Sequence, residues 1–207
     1  MKQIAMLIYP GFSNYEIAFV GYMAACIGRK IELVAKALDP VENEDGFRFL
    51  PNHTLETFNI EAYDCLVLSG IGGDVPAVMA DDDYTAFLRR FKDRPDYTIA
   101  SISISPLLLA KAGLLAGKKH CIAINQEDIP MFPFLNPDNI VYAPIVVDGN
   151  IITAQDTGFR EFVIAIAARL GYTCREDWFG QLTPPYDPER FTFRHSEGWQ
   201  SPFTPVK

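Results

Sequence analysis

Ile99-Ala100-Ser101-Ile102-Ser103-Ile104-Ser105-Pro106 is the stretch on which the fold turns. The apolar run beginning at Tyr97 predicts a buried core strand over residues 97–103, and Pro106 opens a helix over 106–115 directly behind it. Gly117-Lys118-Lys119 then closes the helix. A buried strand delivered straight into a helix is a building block of a parallel sheet.

The same alternation extends outward in both directions. Toward the N-terminus, a short apolar run over 3–9 stops at Pro10-Gly11 and reads as a buried strand. Ser13-Asn14-Tyr15-Glu16 has capping-box spacing and predicts a helix from 13 to about 28. Residues 31–37 give the next strand, and Asp45-Gly46 between Val41 and Phe47-Arg48-Phe49 predicts a hairpin decorating the sheet. A buried strand over 63–69 runs into Gly70-Ile71-Gly72-Gly73-Asp74, and 82–91 is helical. Toward the C-terminus, 140–147 and 151–154 flank the turn Asp148-Gly149-Asn150, and a late amphipathic helix spans 161–170 before Gly171. Beyond Gln181 the chain is rich in Pro and aromatics without periodicity. Residues 1–182 therefore read as one domain, and 183–207 as an irregular tail packed on it.

Strands interleaved with helices predict a doubly wound, mostly parallel sheet in a flavodoxin-like three-layer α/β/α sandwich with a small β-hairpin excursion. Such sheets bind ligands beyond the carboxyl ends of their strands. Three segments should meet there: 10–16, 69–74 and 101–106. A net charge of -8 argues against a nucleic-acid partner, and no stretch approaches the apolar length of a membrane span. The apolar start, residues 4–9, reads as a strand and not a signal peptide, so a cytoplasmic protein is expected. Cys26, Cys65, Cys121 and Cys174 form no CxxC pair and predict reduced thiols, with no metal site and no cofactor.

Tyr9-Pro10-Gly11-Phe12-Ser13 with Glu16 resembles the first strand and loop of the ThiJ/PfpI superfamily, whose fold is that of the class I glutamine amidotransferases. The Ile99–Pro106 run with Leu109-Ala110 and Ala112 to Lys119 is similar to its nucleophile elbow and following helix. Val147-Asp148-Gly149-Asn150-Ile151-Ile152-Thr153-Ala154 resembles its late hairpin. The family elbow reads approximately Ala-Ile-Cys-x-Gly-Pro. The resemblance thus places Ser103 at the cysteine position, Ser105 at the glycine position, Glu16 at the glutamate position and Ala123 near the histidine position. It also implies that Gly70, Ile71 and Ile104 offer backbone N–H groups at the pocket, that the protein is a homodimer, and that a small-molecule ligand is held there.

Two readings of Ser103 follow. It is either a small polar residue in a diverged binding or regulatory protein, or the nucleophile of a hydrolase or lyase of the protease-amidase-like or glyoxalase-like kind, working with Glu16. Serine ionises far less readily than a thiol and needs an adjacent base, and none of His53, His120 and His195 falls where the family has one. Ser105 is expected to crowd the turn. Glu16 is open to two readings as well, pocket acid or reciprocal partner of Ser13 in a capping box. Asp81-Asp82-Asp83 reads as an acidic helix start.

Overall fold

In the computed structural model, β7 (Thr98–Ile102) is buried at every residue and passes through a tight turn into α4 (Pro106–Lys111). The structure describes residues 2–174 together with Phe179, Pro184, Pro185 and Pro188. The chain divides into two units, Met1–Cys174 and Arg175–Lys207. The tail expected over 183–207, with His195 and Trp199, and also Trp178, lies outside the described residues apart from those three prolines.

Around β7 the sheet is ordered β5-β2-β1-β6-β7-β9-β8. Its strands are β1 (Gln3–Leu7), β2 (Ile31–Ala35), β5 (His53–Thr54), β6 (Tyr63–Leu68), β7, β8 (Ile145–Asp148) and β9 (Ile151–Ala154). All pairings are parallel except β8 with β9, which closes the expected hairpin in the register Val147 to Ile152. After β1 the chain moves outward to β2, then returns to the other side of β1 as β6. This reversal opens the crevice where doubly wound sheets carry their sites. Helix α1 (Tyr15–Cys26) packs against α5 (Phe159–Arg169), and α3 (Asp82–Arg89) against α4, giving the flavodoxin-like sandwich. A separate two-stranded hairpin, β3 (Val41–Glu42) with β4 (Arg48–Phe49), matches the expected excursion.

Several boundaries differ from expectation for definable reasons. Helix α4 ends at Lys111, because Gly113 at φ +81 closes it in a Schellman motif: Gly113 N–H donates to Ala110 O and Leu114 N–H to Leu109 O. The stop is therefore Gly113 and not Gly117. The same closure recurs at Gly28 and Gly171. Residues 140–144 are not strand. Pro144 interrupts the run, and Ile140 instead bridges His120. Neither the short edge strand β5 nor the helix α2 (Val75–Ala80) was foreseen.

Candidate functional site

The turn after β7 places Ser103 at φ +65, the only positive φ outside glycine among the described residues. That left-handed conformation costs an L-residue about 1–2 kcal/mol, so the surroundings must impose it. Two later segments do so: Ser103 N–H donates to Ala154 O at 2.9 Å, and Ala123 N–H donates to Ser103 O at 2.9 Å.

Glu16, in the first turn of α1, is 1% exposed. Its Oε2 accepts the Gly70 N–H at 2.6 Å, its Oε1 accepts the Tyr15 hydroxyl at 3.3 Å, and it also shares a hydrogen bond with Ser103. The Glu16 N-terminal neighbourhood is tied down reciprocally, since Ser13 N–H donates to Gly70 O. A methyl group on Gly70 would lie 2.4 Å from Glu16 Oε2 and 2.9 Å from the Ser103 Cβ, so only glycine lets these three segments close on one another. Glu16 therefore lies against Gly70 beside Ser103, and the capping-box reading is corrected: Ser13 gives its hydroxyl to Glu44 Oε2 at 2.9 Å, and the Asn14 cap makes no side-chain bond among the described residues.

Burial pushes the Glu16 carboxyl up from its ordinary 4.5 to about 7. Hydrogen bonds from Gly70, Ser103 and Tyr15 oppose the rise, and the Glu44 carboxylate adds to it. Glu16 is thus partly protonated near neutrality, able to give a proton to a ligand or take one from it. Tyr15 is pushed up to about 12, first by burial and then by the neighbouring Glu16.

Of the backbone groups expected to face an oxyanion, Gly70 already gives its N–H to Glu16. Ile71 and Ile104 have no acceptor for theirs among the described residues. Ser105 does not crowd the turn. It sits at φ −63, right-handed, and its buried hydroxyl reaches Ile102 O at 2.8 Å and Ser101 Oγ at 2.7 Å. Residue 123, hydrogen-bonded to Ser103, is an alanine and supplies no base. His120 is buried, with Nδ1 on Lys118 O at 3.0 Å and Nε2 without a partner among the described residues, and burial lowers its pKa. His53 belongs to β5, separated from β7 by three intervening strands, and there it meets Glu32 at 2.7 Å. No group of three or more His, Cys, Asp or Glu residues among those described is arranged to hold a metal.

Sequence reasoning missed Glu44 and Tyr15. Glu44 reaches the site from the β3–β4 hairpin, which reads in the sequence only as decoration. A separate cleft of about 610 Å³ lies across the Pro10-Gly11 loop, lined among others by Ala35, Val41, Gly73, Val78 and Tyr84. Ser103 and Glu16 do not line it.

A reversing parallel sheet, with a strained strand-to-helix turn set against a buried glutamate, defines a flavodoxin-like α/β protein with an elbow site. The profile of the DJ-1/PfpI family matches residues 2–169, and the chain belongs to that family. It is 25% identical over 178 residues to protein dj-1beta of Drosophila melanogaster, covering 82% of this chain and 89% of that one. It is 28% identical over 174 residues to isonitrile hydratase of Pseudomonas putida, covering 81% and 72%. Among solved structures, a DJ-1 superfamily protein from Agrobacterium tumefaciens superimposes with a TM-score of 0.76 at 24% identity over 85% of this chain and 93% of that chain. A ThiJ/PfpI family protein from Pseudomonas syringae is 31% identical, with a TM-score of 0.68 over 82% and 69%. No helix among the described residues is long and apolar enough to cross a membrane.

Proposed function

We propose that this chain is a DJ-1/PfpI protein with Ser103 in place of the family's reactive cysteine. In this reading it works as a binding or regulatory protein for a small molecule. The ligand is held by the Ser103 hydroxyl, the Glu16 carboxyl and the free N–H groups of Ile71 and Ile104. The observation that carries the reading is the combination at the turn: a hydroxyl kept in a strained conformation, a carboxyl of pKa about 7 beside it, and Ala123 where a base would be needed. A serine without a strong base is a poor nucleophile but a good hydrogen-bonding partner. A homodimer in the cytoplasm belongs to the same proposal on the strength of the family, and light scattering on the purified chain tests the dimer.

A second reading keeps chemistry at the site, as a hydrolase or lyase using Ser103 with Glu16. It is favoured by Glu16 alone, whose carboxyl is poised to exchange protons at neutral pH. One experiment separates the two. Wild type, Ser103→Ala and Glu16→Gln are incubated with peptide amides, methylglyoxal and an isonitrile, the last because of the hydratase relative, while ligand binding at the site is followed by NMR. Binding without turnover supports the first reading. Turnover that disappears in both variants overturns it in favour of the second.

A further inference from the structure

The β3–β4 hairpin is fastened to the site loop at several points. Gly11 N–H donates to Glu42 O at 2.9 Å, Glu44 N–H donates to Phe12 O at 3.2 Å, and the Phe12 and Phe49 rings meet edge to face at 5.0 Å. Asn43, buried at the hairpin turn, accepts the N–H groups of Asp45 and Phe47 through its Oδ1 and fixes the tip that carries Glu44. From there the Glu44 carboxylate lies over Gly72 and takes the Ser13 hydroxyl at 2.9 Å. A Cβ on Gly72 would fall 1.7 Å from Glu44 Oε2. Gly72 has no positive φ, so what requires glycine there is the space the carboxylate occupies. The hairpin's own cation is committed elsewhere, since Arg48 Nε donates to Glu42 at 3.3 Å. The carboxylates of Glu16, Asp156 and Glu44 all bear on Tyr15 at the site's edge and raise its pKa.

We propose that Glu44 is the charge filter of the Ser103–Glu16 site, admitting neutral and cationic small molecules and turning away carboxylates and phosphates. The inference rests on the reading that this site binds a small molecule, and it names the class. One carboxylate, held in place by a hydroxyl and by a glycine kept bare beneath it, stands beside a second that is buried and half-protonated. An anionic ligand would add a further negative charge beside these two carboxyl groups. A ligand bearing an amine or an N–H donor meets acceptors instead. Because Glu44 is held by the hairpin and not by the sheet, this selectivity can be altered without touching Ser103 or Glu16.

The test uses Ser103→Cys as a reporter, with modification at position 103 read by peptide mass mapping so that Cys26 and Cys174 do not interfere. The thiolate is treated with methanethiosulfonates that are neutral (methyl), cationic (aminoethyl) or anionic (sulfonatoethyl). In each case an S–S bond forms and methanesulfinate leaves. Rates are normalised to those of N-acetylcysteinamide with the same reagents. The expected cation-to-anion rate ratio for Ser103→Cys is roughly 10 times that of the free thiol, as one or two fixed charges at short range provide. Adding Glu44→Gln should lower the ratio about 5-fold or more. Adding Gly72→Ala, which displaces the carboxylate without removing it, should also lower it. A ratio that neither change moves, or that moves with Glu44→Gln but not with Gly72→Ala, overturns the inference and leaves the binding site standing. Failure of even the neutral reagent to modify position 103 overturns the site itself.

Discussion

Ser103 and Glu16 each occupy a state that their neighbours impose, and each state has a measurable energy. For Ser103 the state is conformational. Ala tolerates φ +65 poorly and Gly freely, so Ser103→Gly should be more stable than Ser103→Ala by about 1 kcal/mol in urea unfolding. The pair is compared because both lose the same hydroxyl; equal stabilities would mean the turn is unstrained. For Glu16 the state is a bound proton. Its folded pKa of about 7 lies above the ordinary 4.5, so its contribution is fully present below 4.5 and is lost as pH rises through 7. Wild type should therefore lose about 3 kcal/mol relative to Glu16→Gln between pH 5 and pH 8.5. His120 works in the opposite sense: its lowered pKa costs stability as pH falls below the imidazole's ordinary 6.5. Taking the difference against Glu16→Gln cancels that term, and a difference that stays flat with pH would show Glu16 ionised throughout.

At the scale of elements, hydrogen bonds between distant segments decide what local pattern leaves open. Asn150 is the clearest case: from the β8–β9 turn its side-chain amide donates to Arg94 O at 3.1 Å and Tyr97 O at 2.8 Å, joining the hairpin to the start of β7. Asn150→Ala should cost about 1–2 kcal/mol, measurable as a lowered denaturation midpoint, because the partly buried Tyr97 O loses its Asn150 donor while Arg94 O keeps only the Tyr97 N–H at 3.0 Å. The long buried strands β1, β6 and β7 were legible in the sequence because each is a continuous apolar run stopped by Pro or Gly. The two hairpins were legible from Asp45-Gly46 and Asp148-Gly149-Asn150. Strand β5, two residues long, is too short to show any period. Helix α2 is six residues long, held by the Asp74 cap on Ala77 N–H, and carries no amphipathic signal of its own. The capping box failed as a reading for a related reason. Ser13-Asn14-Tyr15-Glu16 has the spacing, but Gly70 offers Glu16 and Ser13 better partners across the crevice. Of the candidate site, the meeting of Ser103, Glu16 and Gly70 was legible. Glu44 was not, because nothing local ties a hairpin tip to a crevice it reaches only after folding.

For the Met1–Cys174 unit as a whole, burial sorts the thiols. Cys65 lies inside the sheet, its thiol pushed up to about 12 by burial, and Cys121 is raised for the same reason. Cys26 is exposed and Cys174 partly so. In native protein Ellman's reagent should modify Cys26 readily and leave Cys65 and Cys121 untouched until urea unfolds the sheet. Fast modification of either buried thiol without unfolding would contradict the packing of β6 and β9. The order of the chain adds a temporal consequence. The carbonyl and amide that hold Ser103 left-handed belong to Ala154 and Ala123, both made after it. A ribosome that has just released β7 has delivered a serine with no reason to adopt φ +65, and Glu16 with no hydroxyl fixed beside it. At ordinary synthesis rates Ala154 follows on the order of a few seconds later. The nascent protein therefore exists for an interval with most of its central strands made and its elbow slack, and the turn at Ser103 is fixed only when the hairpin arrives.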